Sequence, residues 1–497
     1  MRRPLAALHG TTSALRQRCA TVTGQSERTT LLGTILLATS VSAVTAFVLG
    51  QYFSIDALSS LVFVPDDCQV DWGTRVGRHC FSDYGIQANV GMQANPWGSN
   101  VVTLPDHSSL QFGFSNYPAA GMLPQTVFGF LGRALHAPKL GLVAYLLLLT
   151  MAALTPAVWA ARGARGLERV VVFFACGTAA IPAWMVIDRG NSTGFVVPIA
   201  LAFLVALCRQ RWGLVTVMVI LAALVKPQFA VLGMVLFAAR QWRWAGTAVA
   251  GVALSNIAAY LLWPRDFPQT IVQSIHNTLG YGSFKALIGL NVSFGKALLI
   301  LPDSLEARAT GGNLPDGFLA GPRSVIGYVV LLLVVVSVLA LGRRIPPVLV
   351  GIMLLATACL FPAVVLPYYL AFALPIAALV VRDPAGPPGT GIFDRLATVG
   401  DGRRAVGICV TLAAALSIAH IALPSPPLRA EIVGAVQHGL EMPDRWVVVT
   451  TASFAALLWL LACGVIVGSF ARRPAPIPSG DQRPAGKVPV DPAVAPN

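Results

Sequence analysis

Apolar residues occupy the chain in long blocks bounded by short polar or basic turns. The blocks read at 31–50, 138–161, 168–187, 194–208, 213–225, 227–239, 244–263, 324–342, 346–361, 365–381, 405–424 and 446–469. A helical crossing of a bilayer needs about 20 such residues. The pattern predicts an all-α polytopic membrane protein of about 12 spans. The blocks at 194–208, 213–225 and 227–239 are short for a full crossing and read as tilted, broken or half-spans, which puts the range at 10–13. Large loops follow span 1 (51–137) and span 7 (264–323). Inside the first loop, 117–135 is apolar but interrupted by Pro118 and Pro124, and reads as a segment lying along or dipping into the outer interface.

Composition narrows the class. Of 497 residues, 56% are hydrophobic and 11% charged, and the mean hydropathy is +0.71. Soluble domains run nearer 45–50% apolar and about 25% charged. A water-soluble globule, a disordered chain and, with 8 cysteines in all, a disulfide scaffold are therefore excluded.

The net charge of +14 would point to nucleic acid in a soluble protein. Here it follows the blocks. With the N-terminus inside, 22 of the 35 Lys and Arg fall in the short inside segments, among them Arg162, Arg165, Arg169, Arg209, Arg211, Arg240, Arg243, Arg343 and Arg344. That is the positive-inside bias, and it requires no nucleic acid. Arg2, Arg3, Arg16, Arg18 and Arg28 precede a first block without a convincing cleavage site, which reads as a retained span. The expected organisation is a basic cytoplasmic N-terminus (1–30), one transmembrane domain (31–469) and a disordered, Pro-rich cytoplasmic tail (470–497) in a cell membrane.

Ionisable residues at span ends are costly unless they serve a site or meet water. Asp188 and Arg189 end the third block. Lys226-Pro227 breaks an apolar stretch, and proline disfavours helix at the preceding residue. Lys226 reads either as a snorkelling side chain on a kinked helix or as a cation aimed at an anionic ligand group. The first loop supplies carboxylates: Asp83, with Asp66, Asp67 and Asp71 in reserve. Ser82-Asp83 also reads as a helix cap. Cys68 and Cys80 stand as two free thiols or, on the oxidising side, as a disulfide closing a loop of about a dozen residues. Trp72, Tyr84, Trp97, Tyr117 and Tyr281 read as sugar-stacking or interface-belt aromatics. The sequence has no H-E-x-x-H, no C-x-x-C, no outside D-x-D and no P-loop. No metal site and no cofactor is expected, and an ATP-driven pump is disfavoured.

Several short motifs in chain order resemble glycosyltransferase family 87, the GT-C-type integral-membrane enzymes of actinobacterial envelope synthesis that use polyprenyl-phosphate sugars. Asp83-Tyr84 followed by Asn95-Pro96-Trp97 is similar to that family's first-loop D-x-x-x-Y and G-x-N-P-Y. Tyr117-Pro118, Gly190-Asn191, Lys226-Pro227, Asn291-Val292-Ser293 and Pro367-Tyr368-Tyr369 resemble its later segments. Ala119 stands where the family has the second proline of Y-P-P, and Tyr84 follows Asp83 directly.

The resemblance implies transfer of mannose or arabinofuranose from a polyprenyl-phosphate donor to an envelope glycan or glycolipid, without metal and with inversion, on the non-cytoplasmic face. It implies Asp83 as the base and Arg189 and Lys226 as partners of the donor phosphate. Tyr84, Asn95, Tyr117, Asn191, Asn291, Ser293, Tyr368 and Tyr369 are the implied substrate contacts. The rival reading is a multi-span transporter or flippase of lipid-linked sugars. Transporters often show two related halves, and this chain has no half matching the one that holds the large first loop.

Overall fold

A computed structural model describes residues 25–53, 81–98, 100–103, 109–112, 115–280, 291–309, 322–397, 404–428 and 445–472. Asp66, Asp67, Asp71, Cys68, Cys80, Trp72, Tyr281 and the tail beyond 472 lie outside the described residues.

In chain order, α1 (Glu27–Phe53) and α2 (Ser82–Gly91) precede a small antiparallel hairpin, β1 (Asn100–Thr103) with β2 (Ser109–Phe112), and α3 (Ala119–Ala134). Next come α4 (Pro138–Ala161), α5 (Gly166–Phe173), which runs into a π turn at Phe174–Thr178, and α6 (Ile181–Arg189). A 3-10 turn at Ser192–Phe195 opens α7 (Val196–Cys208), followed by α8 (Trp212–Val225). A second 3-10 segment, Pro227–Gly233, leads into α9 (Met234–Ala238), then α10 (Trp242–Tyr260) and α11 (Gln269–Gly280). The later elements are α12 (Phe294–Leu298), α13 (Ile300–Ala309), α14 (Pro322–Leu341) and α15 (Pro347–Leu360). A 3-10 turn at Pro367–Phe372 opens α16 (Ala373–Val381), followed by α17 (Ile392–Ala397) and α18 (Arg404–Ile418). A hairpin of β3 (Ala422–Leu428) and β4 (Arg445–Thr450) precedes α19 (Ala455–Ala471).

The chain is thus overwhelmingly helical. Four helical stretches are long and apolar enough to cross a membrane: Glu27–Phe53, Pro138–Ala161, Arg323–Arg344 and Thr451–Ala471. The pair Gly166–Thr178 and Ile181–Arg189, bent by 47°, makes a fifth if taken as one span. The other predicted blocks form shorter apolar helices or, at 242–260, a helix outside that set. Proline explains much of the shortening. Pro182, Pro227, Pro347 and Pro367 each stand in the first turn of a new helical segment, where a missing N–H is harmless. The expected spans 405–424 and 446–469 are trimmed to Ile418 and Thr451 by the β3–β4 hairpin. Pro424, Pro426 and Pro427 cannot continue a helix, and the ladder is irregular between Pro424 and Pro427.

The core surrounds α15, α16 and α7. Every residue from Val348 to Leu360 and from Ala373 to Val381 is buried, as befits helices apolar on all sides. The long helices at Glu27–Phe53 and Arg323–Arg344 flank this core, adding Leu31, Ile35 and Ala38, and Val330, Val334 and Val338, and are otherwise largely uncovered.

The basic turns gather at one end of the bundle. Arg28 pairs with Glu168 at 2.6 Å, and Arg382 Nη1 donates to the Trp159 carbonyl at 2.7 Å. Arg209 Nη2 donates to the Pro384 carbonyl at 3.0 Å, and Gly389 N–H to the Gly163 carbonyl at 3.2 Å. The Pro/Gly-rich stretch after 382 is therefore a folded turn, closed further by an Arg395–Asp383 ion pair at 2.7 Å.

Candidate functional site

At the opposite end, α6 stops at Arg189 because Gly190 takes a left-handed conformation, φ 63°. Phe81 N–H donates to the Asp188 carbonyl at 2.9 Å, which docks the start of α2 onto this stop. The helix cap of α2 is Phe81 itself, in the left-handed region and without a side-chain cap bond. Asp83 does not cap. The Asp83 carboxylate is turned to α6 instead.

Arg189 grips Asp83 with two bonds: Nη2 donates to Oδ1 and Nε to Oδ2, both at 3.1 Å. Asn191 Nδ2 donates to the same Oδ2 at 2.6 Å and to the Tyr117 hydroxyl at 2.6 Å. Asn191 Oδ1 accepts Thr193 N–H at 2.8 Å, which starts the 3-10 turn and fixes the amide. The Tyr117 ring lies beneath Lys226, with Nζ 3.6 Å from its centroid, a cation–π contact. The Arg189 guanidinium carbon stands 5.4 Å from the ring of Tyr368, which stacks on Tyr369 at 4.9 Å.

Asp83, Arg189, Asn191, Tyr117, Lys226 and Tyr368 therefore form one cluster, from five well-separated parts of the chain. Gly121 allows the closest of these approaches: a Cβ there would stand 2.4 Å from the Val225 carbonyl oxygen, so α3 can abut the end of α8 and bring Tyr117 under Lys226.

Electrostatically the cluster is lopsided. The ion-pair side chains are 5% exposed for Arg189 and 14% for Asp83, and Lys226 is 8% exposed. Among the described residues no carboxylate pairs with Lys226. The three formal charges sum to one positive. Asp83 accepts three hydrogen bonds, while an ionised carboxylate offers about four lone-pair sites, so one remains on Oδ1. Burial pushes the Tyr84 phenol up to about 12, and burial together with the Asp83 charge raises Tyr117. Both phenols stay protonated at neutral pH.

The remaining expected site residues fall elsewhere. Tyr84 is buried behind Gly190, 4.9 Å from the Tyr145 ring. Asn95 bonds to Asp266 (3.0 Å) and Gln273 (3.1 Å), and its Oδ1 accepts the N–H groups of Trp97 and Gly98. Asn291 braces the turn before Pro367: it donates to the Ala363 carbonyl at 2.7 Å and accepts Val365 N–H at 3.0 Å. Ser293 caps α12 by accepting Lys296 N–H at 3.2 Å. Tyr145 was not among the expected residues. Its hydroxyl donates to the Gly190 carbonyl at 2.8 Å and so holds the turn between Arg189 and Asn191. A polar phenol inside the otherwise apolar 138–161 block is the one sequence signal that marks it.

No model of a known protein family matches the chain, and no curated protein matches it.

The Gly190 turn makes a first prediction. An added Cβ would lie 2.7 Å from the Tyr84 Cβ, and a left-handed conformation costs a residue with a side chain roughly 1–2 kcal/mol. Gly190→Ala is expected to lower the thermal unfolding midpoint of the detergent-solubilised protein. An unchanged midpoint would refute the tight α2–α6 docking.

Proposed function

We propose that the protein is an integral-membrane glycosyltransferase that moves a sugar from a polyprenyl-phosphate donor to a glycan or glycolipid hydroxyl. The observation that carries the reading is the Asp83–Arg189–Lys226 cluster: one carboxylate and two cations, one of them unpaired with any carboxylate among the described residues. The gathering of the basic turns at the other end supports a cluster on the non-cytoplasmic side. The twelve blocks of the sequence, several of them broken at proline, supply the GT-C-like scaffold of the proposal.

The chemistry balances on these residues. Asp83 takes the proton from the acceptor hydroxyl while its oxygen forms a bond to the anomeric carbon. The bond from that carbon to the phosphate oxygen breaks, and polyprenyl phosphate leaves as a monoester. Donor diester, Asp83, Arg189 and Lys226 sum to zero charge before reaction. Protonated Asp83, the two cations and the dianionic monoester sum to zero after it. Arg189 and Lys226 thus meet the charge that develops on the leaving group. Attack by one acceptor opposite the leaving phosphate inverts the anomeric carbon, so a β-linked donor gives an α-linked product. Arg189 has to shift part of its grip from Asp83 to the phosphate, which frees carboxylate lone pairs for the acceptor.

The protein reconstituted in vesicles tests this. Label is expected to pass to acceptor glycan from polyprenyl-phosphate mannose or polyprenyl-phosphate arabinofuranose, and not from nucleotide sugars. Transfer from a nucleotide sugar alone would overturn the proposal.

A further inference from the structure

α11 turns its polar face inward. Thr270, Ser274 and Asn277 are buried. Ser274 Oγ accepts the Tyr260 hydroxyl at 2.8 Å, and Asn277 Nδ2 donates to the backbone carbonyls of Trp97 (3.0 Å) and Ser115 (3.2 Å). The opposite side carries Val272, Ile275 and Leu279, exposed by 65%, 55% and 67%, with one polar side chain among them, the exposed His276. Their spacing of three and four places them on one helix face. A helix on a water-washed surface shows the reverse arrangement. The segment QTIVQSIHNTLG has no Asp, Glu, Lys or Arg to hold that face in water.

The exposed face has continuity. The adjoining α10 exposes Val249, Leu254 and Ile257, and Leu261 and Leu262 carry the apolar surface on from its end. α3, which packs between α10 and α4, exposes Val127, Phe130 and Leu131. α4, long and apolar enough to cross a membrane, exposes Leu140, Val143, Leu147 and Met151. Arg265 and Asp266, in the turn before α11, are exposed charged residues.

We propose that α11 lies in the membrane interface with Val272, Ile275 and Leu279 seated among lipid acyl chains, in the leaflet that meets the Asp83 end of the bundle. Inward-facing polar groups and outward-facing apolar ones are what a helix wedged between protein and lipid requires, since nothing in the acyl region satisfies a stray hydrogen-bonding group. The arrangement also sets the depth of the candidate site. Asn277 holds the backbone of Trp97 and Ser115, and Ser115 Oγ accepts Tyr117 N–H at 3.1 Å. Only the width of α11, roughly 10–12 Å, separates lipid from the segment that carries Tyr117. A substrate reaching that segment through α11's leaflet would be lipid-borne.

The test places a diazirine amino acid singly at 272, 275 or 279 of the full-length protein in phosphatidylcholine vesicles. Irradiation is followed by mass spectrometry of the adducts. Lipid adducts are expected at all three positions, at yields matching a label at 254, while a label at 265 gives water adducts. Water adducts at 272, 275 and 279, or cross-links from them to another part of the chain or to a second copy, would overturn the proposal. The readout is lipid contact and not turnover, so its failure leaves the sugar chemistry standing, and the reverse holds too.

Discussion

Asp83→Asn is expected to abolish sugar transfer while leaving donor binding measurable. An amide cannot take the acceptor proton, and a positioned general base typically contributes about 10²–10⁴ in rate. The substitution also leaves the Arg189 guanidinium, 5% exposed, without its bidentate partner. Removing one member of a buried pair costs about 3–5 kcal/mol, so a fall in thermal stability accompanies the loss of activity. The two effects are separable. Donor phosphate supplies a new anion for Arg189, so polyprenyl phosphate is expected to restore more stability to the variant than it adds to the wild type. Thermal scans with and without polyprenyl phosphate, run beside a single-turnover assay, check both. A variant that turns over normally would remove Asp83 from the base role.

Lys226→Met is expected to have the opposite signature in stability. No carboxylate among the described residues forms an ion pair with Lys226, and its ammonium rests over the Tyr117 ring. A charge buried without an ion-pair partner carries a desolvation cost that an apolar side chain of similar length avoids. The unfolding midpoint should therefore hold or rise. Transfer should fall by about 10²–10³, the usual cost of deleting one group that stabilises developing negative charge. Lys226→Arg should recover part of the rate, because charge returns with a different shape. A Lys226→Met protein that is stable and fully active would show that Lys226 serves packing alone.

Some of this architecture is legible in the sequence, and the reasons differ by residue. The break at Lys226-Pro227 can be read directly, since proline ends the preceding helix wherever it stands in such a block. That Asp83 and Arg189 share an end follows from counting spans. That they touch does not, because 106 residues separate them and α2 is brought to α6 by the docking of Phe81 on Asp188 and the packing of Tyr84 against Gly190. Asn95 and Asn291 look like ligand contacts because Asn95-Pro96-Trp97 and Asn291-Val292-Ser293 resemble segments of glycosyltransferase family 87. In the fold each amide oxygen closes its own local turn while the amide nitrogen ties that turn to a distant part of the chain, Asn95 to Asp266 and Gln273 and Asn291 to Ala363, and such a use leaves the same trace in a sequence. The helix in the second large loop was hidden for another reason. Its alternation of polar and apolar residues is visible, but the side that faces the protein is set by Trp97, Ser115 and Tyr260, which lie far away in the chain. The late hairpin interrupts two apolar blocks because the prolines at 424, 426 and 427 outweigh their hydropathy.

The central claim is that the Asp83 end of the bundle splits a lipid-borne sugar from its phosphate and does not move the donor intact. A donor carrying ¹⁴C in the sugar and ³²P in the phosphate, presented to the protein in sealed vesicles with a glycan acceptor, tests it most directly. We expect the labels to separate: ¹⁴C in the glycan, ³²P in polyprenyl phosphate, in equal amounts, with neither change in the Asp83→Asn protein. Both labels crossing the bilayer together on one unbroken molecule would contradict the account and establish transport.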